Sequence, residues 1–331
     1  MFAPRPFPKP RVYLSKCIEY CHCRYNGDII RSDTVQKMID KVEFITECPE
    51  AAIGLGVPRD PIRIVQDRSG HRRLVQPTTG RDVTAEMERL IEHLLSSLSD
   101  IDGFLLKSRS PTCGVRDVRT YPPGDKVSPL SSKQAGFLGA AVRTAFPHTA
   151  LEDEARLQNI KLAEHFLTRI FTSARLREVE RSPSLNGLIE FHTDNKFLLM
   201  MYSQKELRNL GRLVANKEAQ DLHALVRDYR EHLEAAMAQP PRCNAPVNVL
   251  QHALGHISSG MTGEEVQYFL RTLDMYQEGR VPLSVCLGLM RSYAIRFDDE
   301  YVTRQTFFQP FPGDILQVEL TDSCDWREQQ V

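Results

Sequence analysis

Short apolar runs and helical repeats alternate in the first half of the chain. The runs at 11–16, 42–46 and 103–106 are typical of buried strands. Between them, residues 84–98 carry apolar side chains at helical spacing, which predicts a long amphipathic helix. Because strands and helices alternate, we predict a parallel, Rossmann-like sheet flanked by helices, which makes the first domain α/β.

Smaller segments complete the prediction for the first half. Residues 33–40 predict a short helix with an Asp cap, and residues 132–146 predict another helix. Residues 62–65 and 70–75 predict a hairpin beside the main sheet. Residues 54–61 are too rich in Gly and Pro for regular structure and lack the Gly-Lys-Ser/Thr of a P-loop. We interpret them as a lid or wall of a pocket.

From about residue 155, apolar residues recur at helical spacing almost throughout. We predict an all-α domain whose helices cover 156–180, 185–202, 203–216, 218–238, 245–259, 262–279 and 282–296. The acidic residues 152–154 mark the change of pattern. The predicted domains are therefore residues 10–150 and 155–312, followed by an acidic tail at 313–331.

Composition and charge limit the class of protein. The 331 residues are 41% hydrophobic and 26% charged, and no run of about 18 apolar residues would cross a membrane. The proline-broken residues 1–10 lack the apolar core of a signal peptide, so we expect a cytoplasmic protein. The net charge is −1 overall, but +5 for residues 1–150 and −6 for residues 151–331. Local basic patches allow a nucleic-acid partner, although the total charge does not require one.

Each of the three predicted strands ends close to a cysteine, and these are Cys17, Cys48 and Cys113. The carboxyl ends of parallel strands meet at one edge of a sheet, where α/β proteins place their chemistry. In a reducing compartment, such thiols indicate a metal site or catalysis rather than disulfides. Cys21 and Cys23 lie nearby, but their spacing fits neither the Cys-x2-Cys of zinc sites nor the Cys-x3-Cys-x2-Cys of radical enzymes. Three separated thiolates without an obvious fourth suggest an iron–sulfur cluster with one open iron.

Motifs in both halves resemble known families. Three motifs in residues 10–150 occur in the same order as in the thiouracil desulfidase (TudS) family, which this segment resembles. The motifs are Ser15-x-Cys17 with Arg24-Tyr25-Asn26-Gly27, Cys48-Pro49-Glu50, and Ser108-x-Ser110-Pro111-Thr112-Cys113-Gly114. Residues 160–312 resemble the YbgA-like helical domain, through stretches that include Phe191-His192-x3-Lys196 and Leu210-Gly211-Arg212. Together, the two halves resemble the two-domain tRNA 4-thiouridine desulfidases (RudS).

This resemblance implies a cofactor and a reaction. Cys17, Cys48 and Cys113 would bind a [4Fe-4S] cluster, whereas Cys21 and Cys23 lie outside the family motif and are interpreted as incidental. The soft sulfur of a thiocarbonyl would bind the open iron, water would add to the ring carbon, and sulfide would leave without net redox change. The implied activity converts 4-thiouridine in tRNA to uridine, and the implied partner is tRNA.

Three residues are candidates for catalytic roles in that reaction. Glu50, two residues after a cluster ligand, is the first candidate to activate water and protonate the ring. Alternatively, Glu50 caps the helix that follows it or pairs with Arg59. Ser108 and Ser110 would hold the pyrimidine carbonyl or the water, or their hydroxyls only satisfy loop amides.

Seven residues are predicted to bind the substrate, and they are Arg59, Lys107, Arg109, His192, Lys196, Arg208 and Arg212. Arg59 is the candidate for a uridine phosphate. The four residues of the helical domain form, by resemblance, a phosphate-binding face, and the alternative is that they are solvated charges on helices. His252 and His256 share a helix face, but without a partnered Glu we interpret them as packed histidines.

Two other functions stay open at this point. The first keeps the cluster and makes the substrate a free thiouracil or thionucleoside. The second is a non-catalytic RNA-binding protein with a structural metal site. In all three cases we expect no membrane association, and no obligate protein partner is evident.

Overall fold

The computed structural model of the protein describes residues 6–124, 127–215 and 221–316. The chain divides into two compact units between Ala174 and Arg175. This division lies later in the chain than the predicted boundary between residues 150 and 155. Most of the predicted acidic tail, residues 317–331, lies outside the described residues.

Strands and helices alternate in the first unit. Its described strands are β1 (Arg11–Ser15), β2 (Glu43–Glu47), β3 (Arg63–Gln66), β4 (Arg72–Gln76), β5 (Arg81–Asp82), β6 (Gly103–Leu106), β7 (Val118–Tyr121), β8 (Ser131–Gln134) and β9 (Ala150–Asp153). Its helices are α1 (Asp33–Met38), α2 (Pro49–Ala52), α3 (Thr84–Ser97) and α4 (Phe137–Ala145), followed by a 3-10 turn at Arg156–Gln158. The next helix, α5 (Ile160–Arg181), contains the division between the units.

The central sheet is parallel and has the strand order β2-β1-β6-β9. Val12 of β1 stands between Phe44 of β2 and Gly103 of β6. The three predicted strands are confirmed, and so is the α/β class of this unit. Since all four strands run the same way, their carboxyl ends meet at one edge.

The fourth strand, β9, was not expected from the sequence. Glu152 and Asp153 give it the appearance of a polar linker, yet the two residues are 7% and 1% exposed. Glu152 forms ion pairs with Arg156 at 2.7 Å and with Arg116 at 3.6 Å, which compensate its burial. Because its acidic residues are buried through ion pairs, this strand lacks the hydrophobic pattern by which strands are predicted from sequence.

A second sheet has the order β5-β4-β3-β7-β8. Its β3–β4 pair is antiparallel and confirms the predicted hairpin. The predicted helix at 132–146 is wrong in its first part, because Ser131–Gln134 forms strand β8 against β7. Only the Phe137–Ala145 part is helical, and it begins after Gly136.

The amino end of α4 holds the loop that carries Cys113. The amides of Gly136, Phe137 and Leu138 donate to carbonyl oxygens of loop residues 111–114 at 2.8–3.1 Å. A Cβ added to Gly139 would lie 2.2 Å from the carbonyl oxygen of Gly114. The helix therefore approaches the loop backbone as closely as it does only because this position has no side chain.

Helices make up the second unit. After α5 they are α6 (Leu185–Tyr202), α7 (Gln204–Ala215), α8 (Leu222–Ala236), α9 (Ala245–Ile257), α10 (Gly263–Gln277), α11 (Leu283–Arg296) and α12 (Glu300–Thr303), with 3-10 turns at Ser258–Gly260 and Thr306–Phe308. Their buried faces share one hydrophobic core that includes Phe197, Tyr229 and Phe269. The prediction of an all-α region is confirmed. No helix among the described residues is long and apolar enough to span a bilayer.

We predict that Gly139→Ala destabilises the first unit by about 1–3 kcal/mol, because the new methyl group must push the cysteine loop away from the helix. Thermal or urea unfolding measures this change. Gly255→Ala is the matched control, because a Cβ at this helical glycine meets no atom within 4 Å. The control should leave stability unchanged or raise it by up to about 1 kcal/mol. Equal stability of the two variants would contradict the close packing of loop and helix.

Candidate active site at the carboxyl edge of the parallel sheet

The three predicted cysteines line one cavity of about 480 Å³. Cys17 follows β1, Cys48 follows β2, and Cys113 lies on the loop after β6, so the parallel pairing of these strands brings them to the same edge. Cys17 and Cys113 are 9% and 6% exposed, and Cys48 is half-buried. The cavity lies entirely within the first unit.

Local structure places each thiol. Cys48 is the N-cap of α2, and Pro49 begins that helix. The Ser15 hydroxyl accepts a hydrogen bond from the amide of Lys107, which ties β1 to the segment that leads to Cys113. Ser110 shapes the loop itself, because its hydroxyl oxygen accepts from the amides of Thr112 and Cys113 at 3.2 and 3.0 Å.

Burial keeps the thiols of Cys17 and Cys113 protonated in the metal-free protein. Burial, with a smaller contribution from Cys48, raises the pKa of Cys17 to about 12, and the Lys107 ammonium opposes this rise. Burial also raises the pKa of Cys113, against a hydrogen bond with Ser15 that lowers it. A cation that binds to these sulfurs would release their protons and become part of the folded site.

Cys23 lies in the same cavity, although its place outside the family motif suggested an incidental thiol. It is 4% exposed, and its carbonyl oxygen lies 3.7 Å from the Cys48 sulfur. Arg24 and Tyr25 also line the cavity. Cys23 directly precedes the Arg24-Tyr25-Asn26-Gly27 motif, and this adjacency is the signal that could have placed it. Cys21 is half-buried and is not among the lining residues.

Glu50 and Arg59 form a buried ion pair at the cavity wall. Two guanidinium nitrogens of Arg59 donate to Oε2 of Glu50 at 2.7 and 3.1 Å, and the Arg59 side chain is 3% exposed. The remaining donors of Arg59 bind the carbonyl oxygens of Cys23 and Gly56. Arg59, predicted to bind a substrate phosphate, is thus engaged within the protein, and the alternative pairing with Glu50 is present.

The second carboxylate oxygen of Glu50 faces the cysteine loop. Oε1 accepts from the Thr112 hydroxyl at 3.0 Å and from the Ser110 hydroxyl at 3.4 Å. Because Arg59 fixes Oε2, Oε1 is the oxygen that is directed toward groups on the opposite wall. The carboxylate therefore joins α2, the loop of residues 54–61 and the Cys113 loop.

Glu154 organises the other side of the loop, and the sequence analysis did not single it out. Its carboxylate accepts from Lys107 Nζ at 2.5 Å, from the Ser108 amide at 2.7 Å and from the Ser108 hydroxyl at 2.9 Å. Glu154 is 8% exposed. It follows β9, so the unpredicted strand also delivers a residue to this edge. Ser108 and Lys107 are held by these bonds within the protein.

Arg109 differs from its neighbours in the loop. Its φ of +57° is left-handed, and its side chain is 84% exposed. The side chain lies 3.4 Å from the Asp117 carboxylate, which also accepts from the Arg109 amide at 3.0 Å. The guanidinium therefore stands at the rim of the cavity in contact with solvent.

The four predicted residues of the second unit lie on adjacent helices. His192 and Lys196 are on α6, and Arg208 and Arg212 are on the exposed side of α7. Burial lowers the pKa of His192 to about 4, and its ring lies 3.0 Å from the Tyr229 hydroxyl. At neutral pH, the imidazole is uncharged, so the positive charge of this face comes from Lys196 and the two arginines.

His252 and His256 belong to an aromatic cluster. The centroid of the His256 ring lies 4.7 Å from that of Tyr301 and 5.3 Å from that of His252. The centroid of the His252 ring lies 5.6 Å from that of Phe197. Both histidines are exposed, so these are contacts between rings at the protein surface and not the buried packing that the sequence suggested.

The arrangement of donors indicates what the cavity could hold. In the part of the chain that the structure describes, no three His, Cys, Asp or Glu side chains are gathered closely enough to bind one metal ion. The thiols instead line the walls of a cavity that is large enough for a group of several atoms. Thiolates on separate walls suit an iron–sulfur cluster, whose cysteines each bind a different iron.

Tyr13 provides an independent observation on this fit. Its side chain is 1% exposed and packs in the same buried cluster as Cys113, and its hydroxyl has no hydrogen-bond partner among the described residues. Burial raises the pKa of Tyr13 well above its usual value, and nearby Cys113 adds to this rise. A buried hydroxyl without an acceptor is costly. The cysteinate of nearby Cys113 is the kind of acceptor that it lacks.

Comparison with known proteins bears on the identity of both halves. Residues 12–154 match the family model described as 2-thiouracil desulfurase, and residues 196–312 match that described as protein of unknown function (DUF1722). Uncharacterized protein YbgA of Escherichia coli (strain K12) is 27% identical over 148 residues, which cover 44% of this chain and 88% of YbgA. Uncharacterized protein YbbK of Bacillus subtilis (strain 168) is 28% identical over 109 residues, which cover 31% of this chain and 72% of YbbK.

One solved structure is also similar to this chain, and its title names the [4Fe-4S]-dependent thiouracil desulfidase TudS. The sequences are 29% identical, the TM-score is 0.38, and the alignment covers 47% of this chain and 98% of TudS. The chain thus joins a segment that matches the 2-thiouracil desulfurase model to a segment that matches the DUF1722 model. The first of these matches supports an enzyme that cleaves a carbon–sulfur bond.

We predict that Arg59→Met lowers the free energy of unfolding by about 3 kcal/mol, because it leaves the Glu50 carboxylate half-buried without its cation. Arg109→Met is the matched control, since the exposed Arg109–Asp117 pair should contribute less than about 1 kcal/mol. Urea unfolding of both variants measures the difference. A loss of similar size in both would show that the Arg59–Glu50 pair is not a stabilising element of the site.

Proposed function

We propose that this protein is a desulfidase that converts 4-thiouridine in tRNA to uridine, with a [4Fe-4S] cluster bound by Cys17, Cys48 and Cys113. The observation that carries the proposal is the convergence of these three strand-end thiols on one cavity, in a segment that matches the 2-thiouracil desulfurase family.

The proposed reaction exchanges the sulfur of a thiocarbonyl for the oxygen of water. Water adds at the ring carbon, the C–S bond breaks, and the products are the C=O of uridine and hydrogen sulfide, so no electron donor or acceptor is required. When bound, the cluster would supply a Lewis-acidic iron with an affinity for soft sulfur. The protein must supply the proton transfers and the positioning.

Glu50 is the residue that we assign to proton transfer. It lines the cavity, and its Oε2 is fixed by Arg59, whereas Oε1 is held only by hydroxyl groups of the opposite loop. A water in the cavity could replace such a hydroxyl contact, donate to Oε1 and lose its proton there as it attacks. Ser110 would position Glu50 and the Cys113 loop relative to each other.

The substrate must reach a cavity at the end of a sheet. A base that is stacked in a helical RNA cannot enter such a cavity, so the target nucleotide would be turned out of its stack. The cavity volume of about 480 Å³ is within the range of small-molecule sites. This size also fits a free thiolated base, which is the alternative substrate named by the family description.

The second unit is the proposed docking site for the body of the tRNA. Lys196, Arg208 and Arg212 place positive charge on adjacent helices, and the two arginines are exposed. Cations on one helix face bind phosphates without regard to base sequence. This role stays separate from the chemistry, which we place in the first unit.

The decisive experiment compares nucleosides of 4-thiouridine-containing tRNA by mass spectrometry before and after incubation with anaerobically reconstituted protein. We expect 4-thiouridine to disappear and uridine to appear in its place. Free 4-thiouracil, assayed in parallel, tests the alternative substrate. Turnover of the free base with none on tRNA would replace the proposed substrate, and turnover of neither would end the proposal of a desulfidase.

We predict that Cys17→Ser, Cys48→Ser and Cys113→Ser each reduce the reconstituted iron content well below about four per chain and remove activity, because each deletes a cluster ligand. Iron analysis and the sulfur-to-iron charge-transfer absorption measure the loss. Cys21→Ser is the matched control, since this thiol lies in the same unit but outside the cavity lining. Cys23→Ser tests the fourth cavity thiol, and retention of iron in that variant supports the three-cysteine set. Loss of iron in Cys23→Ser would instead make Cys23 a ligand.

We predict that the double variant Arg208→Ala/Arg212→Ala binds tRNA about tenfold more weakly, and that the dependence of log Kd on log salt concentration becomes shallower by about 1–2, because two phosphate contacts are lost. Fluorescence anisotropy over a salt series measures both quantities. Arg271→Ala, at another exposed arginine of the same unit, is the control. Equal tRNA affinity of the double variant and the control would show that α7 does not contact the RNA.

A further inference from the structure

A second cavity, of about 810 Å³, lies next to the thiol cavity in the first unit. We call it the arginine groove, because Arg63, Arg109 and Arg119 line it. Its other walls include Pro77, Tyr121 and Ser132, so it runs along the second sheet, where β3, β7 and β8 are neighbours. Neither the proposed catalytic residues nor the helices of the second unit account for it.

The arginine groove adjoins the thiol cavity. Pro61, Ile62, Arg109 and Pro111 line both of them. Pro111 belongs to the loop that carries Cys113, so the groove begins at the same loop that closes the thiol cavity. A strand that is bound in the groove would therefore lie next to a nucleotide that is bound at the thiols.

Arg119 gives the groove a positive charge that the acidic residue of its lining does not neutralise. Asp117 is the acidic residue of the lining, and it already pairs with Arg109. Arg119 is exposed on β7 and has no ion-pair or hydrogen-bond partner among the residues that the structure describes. Arg63 lies over the ring of Tyr121, with its guanidinium carbon 5.3 Å from the ring centroid. Cations beside an aromatic ring form the surface on which single-stranded nucleic acids bind, through phosphates and stacked bases.

We propose that the arginine groove binds the RNA strand next to the target nucleotide. This inference rests on the proposed function, since it assigns the flanking phosphates of the same substrate. Arg119 and Arg109 would contact phosphates, and the Arg63–Tyr121 pair would support a neighbouring base or sugar. A free thiolated base has no flanking phosphates, so the groove would favour polynucleotide over base.

The test uses Arg119→Glu in the full chain, because this side chain is exposed and lies outside the thiol cavity. Binding is measured by fluorescence anisotropy with an unmodified tRNA transcript, so that the result does not depend on catalysis. We expect at least a tenfold weaker Kd for Arg119→Glu at low salt. For Arg119→Ala, we also expect the slope of log Kd against log salt concentration to be shallower by about 1.

Arg68→Ala is the matched control, at an exposed arginine in the β3–β4 turn that is not among the groove residues. It should bind the transcript as the wild type does. A circular dichroism melt of all variants, with the transition temperatures compared, identifies any loss through misfolding. Wild-type affinity for the transcript in a folded Arg119→Glu protein would overturn the inference, and so would an absence of RNA binding by the wild type.

Turnover separates this inference from the proposed function. For an active enzyme, we expect Arg119→Glu to reduce kcat/KM for 4-thiouridine-containing tRNA about tenfold more than kcat/KM for free 4-thiouracil. If wild-type protein fails to desulfurise tRNA but Arg119→Glu still weakens transcript binding, the groove is an RNA site and the proposed activity is wrong. Equal effects of the substitution on both substrates would show that Arg119 acts on the chemistry or the fold and would overturn the groove.

Discussion

Parallel hydrogen bonding between β1 and its two neighbours is the interaction on which the site depends. Each of these strands ends at the same edge of the sheet, so residues that are separated by more than thirty positions in sequence meet there. A parallel strand can return to that edge only through a crossover connection. The helices and the second sheet are those connections, and they form the walls of the cavities that we describe.

Polar contacts then fix the loops that the strands deliver. Glu50 and Glu154 act on opposite sides of the Cys113 loop, one through Arg59 and the other through Lys107. Buried carboxylates are costly unless cations and hydroxyl groups surround them, and both residues meet that condition. The result is a Cys113 loop that these contacts hold in place without any ligand.

The sequence predicts the parallel strands β1, β2 and β6 and the site at their ends. Each strand is a short apolar run, and each run is followed by a cysteine. The sequence does not reveal β9, since the burial of Glu152 and Asp153 depends on Arg116 and Arg156, which only the tertiary structure brings together. The position of Cys23 in the cavity is not predicted for a different reason, because this residue lies in a loop and follows no strand. Long helices in the second unit follow from periodicity, whereas the neutral state of His192 follows from burial that periodicity does not specify.

The glycine at the start of α4 and the one a turn later have a consequence for distant relatives. Gly136 and Gly139 leave no room for a side chain between the helix and the backbone of the cysteine loop. A chain that kept the three cysteines but carried larger residues at these two places would need a differently built loop. The Gly-x2-Gly spacing, some twenty residues after the third cysteine, therefore offers a criterion for sorting homologous sequences by loop architecture.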